Sequence, residues 1–371
     1  MSATGAALPT PEQGGFWPTP AQAWLLRAAL ATGDAARVAW ERWQREVASQ
    51  AELDPESTDL LPTVAWNLER EIPSDPLLPL LRPFRERTRA ENEAHAARAG
   101  EVLAELAGEG IATLVLKGLA LGPVYGGDPA ARPMADVDIA VPTSRAVAAA
   151  RLLARLGFRP ERAGGAESLR FRHSLGFGRA EGSLDLHWHV CFESCAPGLD
   201  EPFWRSSRAR EIAGVATRVL HPSEQLLHTI LHGAKWNPLP SQRWIVDAAL
   251  VVRREGAEID WERMLALARQ LRVGLRLRQA CELLTTHLAV EVPAEVLRRL
   301  RAAPVSRLER RERSIAQRSR SALRRTPLGA LRLVLADYRR LQVGSGALSR
   351  LAGLPRYLGY RWRLQGGRGS G

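Results

Sequence analysis

The sequence predicts an α/β protein of the α+β type, with a small mixed sheet held between an N-terminal and a C-terminal helical unit. Three observations predict it. Apolar residues recur at three- and four-residue spacing before about residue 107 and again after about residue 221. Between those regions, short runs around 111–118, 135–142 and 183–191 alternate or cluster as strands do. Helical stretches and glycine-bearing turns separate the runs, in the order strand, helix, strand, helix, strand, strand, which suits helices packed on a mixed sheet.

Residues 1–20 read as a flexible leader rich in Pro, Gly and small residues. Residues 21–107 form the N-terminal helical unit. Trp24, Leu25 and Ala28 lead to Val38, Trp40 and Trp43, and Leu77, Leu80, Leu81 and Phe84 repeat the spacing. Residues 82–106 are charged and alanine-rich, one long amphipathic helix.

Residues 108–220 form the sheet domain. A β-like run, Ile111 to Leu116, ends at Lys117-Gly118, and a short helix and turn follow. After a polar, proline-bearing loop comes an alternating strand: Val137, Ile139 and Val141 face one way, Asp136, Asp138 and Ala140 the other. Residues 144–156 have helical spacing, with Gly157 in the position that ends a helix. Two further strands are expected around 168–178 and 183–191. In the latter, Leu184, Leu186, Trp188 and Val190 share one face, opposite Asp185, His187 and His189.

Residues 221–301 return to helix. Ser223 is the expected N-cap of the first, and further helices are expected over 243–254, 260–269, 274–288 and 294–300, with Asp260 as a cap. Residues 302–371 form an Arg-rich tail with a charged helix over 306–325, an amphipathic one over 328–341 and a Gly-rich, disordered end.

The net charge of +12 is uneven. Residues 301–371 hold 17 Arg against Glu309, Glu312 and Asp337, while the other 300 residues carry 35 basic and 37 acidic groups. A nearly neutral body argues against a large nucleic-acid footprint there. The basic residues are 50 Arg and two Lys, Lys117 and Lys235, and an ammonium is not interchangeable with a guanidinium where phosphate is gripped. No apolar run reaches the ~18 residues of a membrane span. Three cysteines, Cys191, Cys195 and Cys281, give no disulfide framework, and the N-terminus shows no secretory pattern, so the expected compartment is the cytoplasm, with peripheral membrane contact left open.

Asp136-x-Asp138 is the sharpest local feature. Two carboxylates on one strand face repel unless a cation lies between them, and Mg²⁺ favours such hard oxygen ligands, often completed by substrate phosphates. Three features accompany the pair. Lys117-Gly118 ends the preceding strand with an ammonium and a pliable backbone. Arg132 lies four residues before Asp136, placed to grip a phosphate with its fork. Asp185 supplies a third carboxylate from another strand, completing a two-metal pattern.

Strand–Lys-Gly–helix, then Arg-x₃-Asp-x-Asp, a helix ending in Gly-Phe, and Asp-Leu-His-Trp together resemble the polymerase-beta-type nucleotidyltransferase superfamily. The likeness is greatest to a bacterial branch of uncharacterised nucleotidyltransferases with Lys-Gly in place of Gly-Ser. It is tight over residues 114–190 and looser through His228, Asp247 and Asp260-Trp261. The resemblance implies transfer of a nucleoside monophosphate from an NTP, with ATP expected, to an unidentified acceptor hydroxyl, with release of pyrophosphate. It implies Asp136, Asp138 and Asp185 as catalytic residues and ligands of Mg²⁺, or of Mn²⁺ in its place. Asp185 is also implied to take the hydroxyl proton. Lys117 and Gly118 fall on the phosphate-contacting element, although Leu119 and Ala120 follow where the commoner motif has its serine. Arg132 and His187 complete the expected nucleotide-binding set.

Other readings of these residues are weaker. His187, His189, Cys191 and Cys195 offer zinc-type ligands, but ligands two apart on one strand diverge. His228 and His232 are one helical turn apart without the Glu of HExxH, so they read as packing or as substrate contacts. An inactive nucleotide-binding module is opposed by the three clustered acids. The tail, residues 302–371, is expected as an accessory surface for a partner protein or an anionic surface.

Overall fold

A computed structural model describes residues 17–48, 53–162, 166–234, 242–316, 326–344 and 346–366. Most of the expected leader, Lys235, residues 317–325 of the expected charged helix and the Gly-rich end at 367–371 lie outside the described residues.

Four helices open the fold: α1 (Pro20–Leu30), α2 (Gly33–Val47), α3 (Pro55–Glu71) and α4 (Leu78–Gly108). Their starts follow local chemistry. Thr19 and Gln22 form a reciprocal capping box ahead of α1, and Asp54 caps α3 by accepting from the Ser57 N–H at 2.9 Å. Proline opens both helices, where no backbone donor is needed.

Seven strands follow: β1 (Leu114–Leu116), β2 (Val137–Ala140), β3 (Arg159–Pro160), β4 (Ser174–Arg179), β5 (Gly182–His187), β6 (Arg208–Ile212) and β7 (Val215–Val219). They form one mixed sheet in the order β3-β4-β5-β2-β1-β7-β6. At its centre, β2 runs parallel to β5 and antiparallel to β1, and β1 runs parallel to β7. Between the strands lie α5 (Lys117–Leu121), α6 (Ala146–Arg155), α7 (Ala166–Phe171) and α8 (Glu201–Ser206). Gly157 ends α6 at a φ of +84°, the left-handed conformation that glycine adopts without penalty.

Both faces of the sheet are covered. Val115, Val137, Ile139, Leu184 and Leu186 pack under α6 and the end of α4 (Ala99, Val102, Leu103, Leu106). Leu114, Leu116 and Ala140 on the other face join a core shared by α1–α3 and the C-terminal helices. Those are α9 (Pro222–Gly233), α10 (Arg243–Glu255), α11 (Trp261–Gln270), α12 (Gly274–Leu288), α13 (Ala294–Ala302) and α14 (Arg307–Ala316). The strand face bearing Asp138 therefore looks toward this helical layer.

Several expectations are corrected. Residues 168–178 are not one strand: α7 ends at Phe171 before β4 begins. The Trp188 indole N–H reaches the Leu169 and Arg172 carbonyls at 3.2 and 2.7 Å, and tertiary contacts override the local pattern. β5 stops at His187, so His189 leaves the ladder, and Val190 joins the opposite core from Leu186. The antiparallel β6–β7 hairpin adds two strands for which the sequence gives no alternating signal. His221, not Ser223, caps α9. The Ser223 hydroxyl instead accepts from the Asp260 N–H at 2.8 Å, and Asp260 caps α11 as expected.

Two tail helices, Pro327–Leu341 and Ala347–Gly366, complete the described chain. The first is fastened by Arg340, which is buried, pairs with Glu312 and donates to the Leu271 carbonyl at 2.6 Å. The second, unexpected from the sequence, packs Tyr357 and Tyr360 with Tyr338 and Phe171. Among the described residues, no helix is long and apolar enough to cross a membrane.

Candidate active site

Strand register brings the carboxylates together. Asp138 on β2 pairs directly with Asp185 on the parallel β5, on the face where Leu116 of β1 flanks Asp138 from the other side. Neighbouring strands lie ~4.8 Å apart, so two acids facing one another there need a counter-charge. Asp136 comes one residue before β2 and lines the same pocket.

Lys117 supplies that counter-charge. It follows Leu116 at the end of β1 with a φ of +50°, a left-handed conformation costing about 1–2 kcal/mol for a residue with a side chain. Its ammonium ion-pairs with Asp138 Oδ1. The same oxygen accepts from His187 Nε2 at 3.0 Å, so with Asp138 ionised that ring nitrogen carries the proton. Burial alone would raise the Asp138 carboxyl, but Lys117 and His187 outweigh it and hold Asp138 well below the usual carboxylate range. Asp136 goes the other way: burial first, then the Asp138 charge, push it up to about 6.

Gly118 answers a packing demand. A Cβ there would lie 2.2 Å from Met134 Sδ and 2.5 Å from its Cγ, so only glycine lets α5 close against the loop before β2. Gly176, opposite Asp185 on β4, is similar: a Cβ would lie 2.5 Å from a Glu161 carboxylate oxygen and 3.1 Å from Asp185 Oδ1.

The loop carrying Arg132 and Met134 is held from the N-terminal helices. The Asn92 side chain on α4 donates to the Pro129 and Arg132 carbonyls, both at 2.7 Å, and accepts from the Met134 N–H at 3.2 Å. Thr63 on α3 donates to the Ala131 carbonyl at 2.7 Å. These helices therefore support the site through the loop, and the described pocket lining comes from the sheet domain, α9 and α10.

Arg132 lines the pocket, but its fork is spent within the protein. Nε and Nη2 donate to Asp247 Oδ1 and Oδ2 at 2.7 and 2.9 Å, and Tyr125 donates to Asp247 Oδ1 at 2.7 Å. This corrects the expectation of a fork free for phosphate. Arg132 joins the loop to α10 instead. Asp247 is a lone acid among the buried apolar residues of α10, the one sequence signal that it has a buried partner. Asn92 and Thr63 carried no such signal.

The resulting cavity, about 410 Å³, has the carboxylates, Lys117 and Gly118 on one side. His228, Thr229 and His232 of α9 and Arg243 and Trp244 of α10 form the other. His228 and His232 thus reach the cavity, whereas His189 and the three cysteines are absent from its lining. The cysteines are unpaired, and burial pushes the Cys281 thiol up to about 12.

The donor set fits a hard divalent cation. Among the described residues, one ligand atom each from Asp138, Asp185 and His187 lie within 4.8 Å of one another, and Asp136 lines the cavity outside that group. Lys117 and His187 both occupy Asp138 Oδ1, which leaves Oδ2 for another ligand. While His187 donates to Asp138 it orients the carboxylate rather than binding metal itself, as outer residues of metal sites commonly do.

Curated proteins give no match. Among solved structures, the solution structure of the antibiotic-resistance factor ANT(2'')-Ia is similar at 18% identity, covering 51% of this chain and 95% of that one. The TM-score of 0.36 makes this too loose a likeness to inform the chemistry. The family model described as an uncharacterised nucleotidyltransferase matches residues 56–289, more than half of the chain and all of the site described above. The chain belongs to this family of uncharacterised nucleotidyltransferases.

Proposed function

We propose that the protein is a Mg²⁺-dependent nucleotidyltransferase that moves a nucleoside monophosphate from an NTP, with ATP expected, to an acceptor hydroxyl. The observation that carries this reading is the pairing of Asp138 with Asp185 across adjacent parallel strands, with Asp136 beside them on one cavity. Asp136, Asp138 and Asp185 would hold the metal. Bound there, Mg²⁺ or Mn²⁺ would offset phosphate charge and favour the ionised form of the acceptor hydroxyl.

The acceptor oxygen forms a new bond to the α-phosphorus as the bond to pyrophosphate breaks in line. Asp185, whose side chain is 30% exposed against 2% for Asp138, is the carboxylate we assign to receive the hydroxyl proton. Asp138, held ionised by two donors on one oxygen, serves as an anchor. Lys117 fixes Asp138 and brings positive charge to the phosphate side, and Gly118 permits the close approach of α5. Arg132 positions the loop through Asp247, while Arg243, whose Nη1 donates to the Pro133 carbonyl at 2.7 Å, is the second guanidinium on the cavity.

The test uses α-labelled NTPs with Mg²⁺ and pooled hydroxyl acceptors, scoring label transfer and pyrophosphate release. Asp138→Ala should lose at least about a thousandfold in turnover, in line with loss of preorganised charge at the reacting phosphate. Activity within tenfold of wild type would reject the assignment.

A further inference from the structure

The helix Ala347–Gly366 buries one face and leaves the opposite one bare. On the inner face, Phe171 lies 5.1 Å from Tyr357 and 5.3 Å from Tyr360 between ring centroids, and Tyr338 lies 5.1 Å from Tyr357. Gly353 allows this contact, because a Cβ there would lie 2.6 Å from the Tyr338 hydroxyl. On the outer face, Leu348, Leu351, Leu358 and Trp362 are 84%, 70%, 37% and 76% exposed, with Pro355 exposed between them. These positions advance by three, four, three and four residues, the spacing of a single stripe along a helix.

Arginines border the stripe. At ~100° per residue, Arg356 and Arg363 fall on one side and Arg361 on the other. Arg356 pairs with Glu167 and Arg361 with Asp337 at 3.5 Å, so two of the three are held against the body. Residues 326–366 carry seven Arg and one acid, Asp337; Arg340 is buried against Glu312 and does not add to the surface charge, and residues 1–300 are close to neutral.

We propose that this helix docks the protein on an anionic lipid bilayer, lying in the headgroup plane with the Leu–Trp stripe inserted and the arginines level with the phosphates. Charge favours this occupant. A second copy of the stripe would bring its own arginines against these, whereas anionic headgroups neutralise them and gather polybasic segments. Exposed Trp and Leu opposite an anchored face, bordered by Arg, suit a helix that lies on a membrane rather than crossing it. The proposal stands independently of the catalytic reading.

The test is flotation of the full chain with phosphatidylcholine vesicles, with and without phosphatidylglycerol. It compares wild type with the charge-neutral variant Leu351→Ser/Leu358→Ser/Trp362→Ser, whose changes are all at exposed positions and whose fold is checked by circular dichroism. Wild type should float only with phosphatidylglycerol present and be released by high salt, and the variant should lose at least about tenfold in partitioning. Three results would overturn the proposal: no flotation of wild type, equal flotation on neutral vesicles, or a variant that floats as wild type does through its arginines alone. Sedimentation equilibrium supplies a fourth: a wild-type dimer that the variant abolishes, with no lipid binding, would assign the stripe to self-association.

Discussion

Replacing Asp136 by Asn should stabilise the metal-free protein while removing its function. Asp136 is driven from the ordinary 3.8 to about 6 by burial and by the neighbouring Asp138 charge. Such a rise corresponds to about 3 kcal/mol of destabilisation once the group is ionised. Asp136 is only partly buried, and solvent screening trims the recoverable part to about 1–2 kcal/mol. Between pH ~4 and ~6 the folded chain keeps a proton that the unfolded chain has released, so this group's contribution falls as pH rises through that window and stays low above it. The assay is thermal unfolding of both proteins in EDTA. Asp136→Asn should melt about 1–3 °C higher than wild type at pH 8. The gap should close as the pH approaches 4. Added Mg²⁺ should raise wild type and leave the variant unmoved. A gap of the same size at both pH values, or a variant less stable at pH 8, would refute the reasoning.

Other consequences follow from the loop and its supports. Asp247→Asn strips the charge partner from the partly buried Arg132 and should cost about 2–4 kcal/mol, read as a lower urea midpoint, with any residual activity showing a raised KM for NTP. Gly118→Ala places a methyl against Met134 and should impair activity strongly, and Met134→Ala in the same chain should recover part of it. Recovery in NTP affinity is the readout. Asn92→Ala removes three hydrogen bonds to the 129–134 loop and should cost about 1–3 kcal/mol in unfolding free energy.

The sheet centre was legible because its strands announce themselves. Alternation in the Asp136–Val141 run and around Asp185 put both acids on one side of their strands, and the register pairs Asp138 with Asp185. Lys117 was legible as a cation near phosphate, though not its left-handed backbone or its bond to Asp138. The β6–β7 hairpin was hidden because its strands carry Arg208, Arg210, Glu211 and Arg218, leaving little apolar alternation at a sheet edge. The last helix was hidden by Gly353, Pro355 and Gly359, which oppose helix locally and are overridden by the aromatic packing of Tyr357 and Tyr360. The Arg132–Asp247 pair joins residues 115 apart in sequence, and no local pattern can reveal such a contact. Sequence position alone therefore offers Arg132 to phosphate, whereas its fork bonds Asp247.

Calorimetric titration of ATP, GTP, CTP and UTP, with and without Mg²⁺, into wild type and Asp136→Ala/Asp138→Ala tests the central claim most directly. The account predicts binding of at least one nucleotide that requires Mg²⁺ and disappears in the double variant while its fold is retained. Binding that survives the loss of both carboxylates, or no binding of any nucleotide to wild type with Mg²⁺ present, would contradict it.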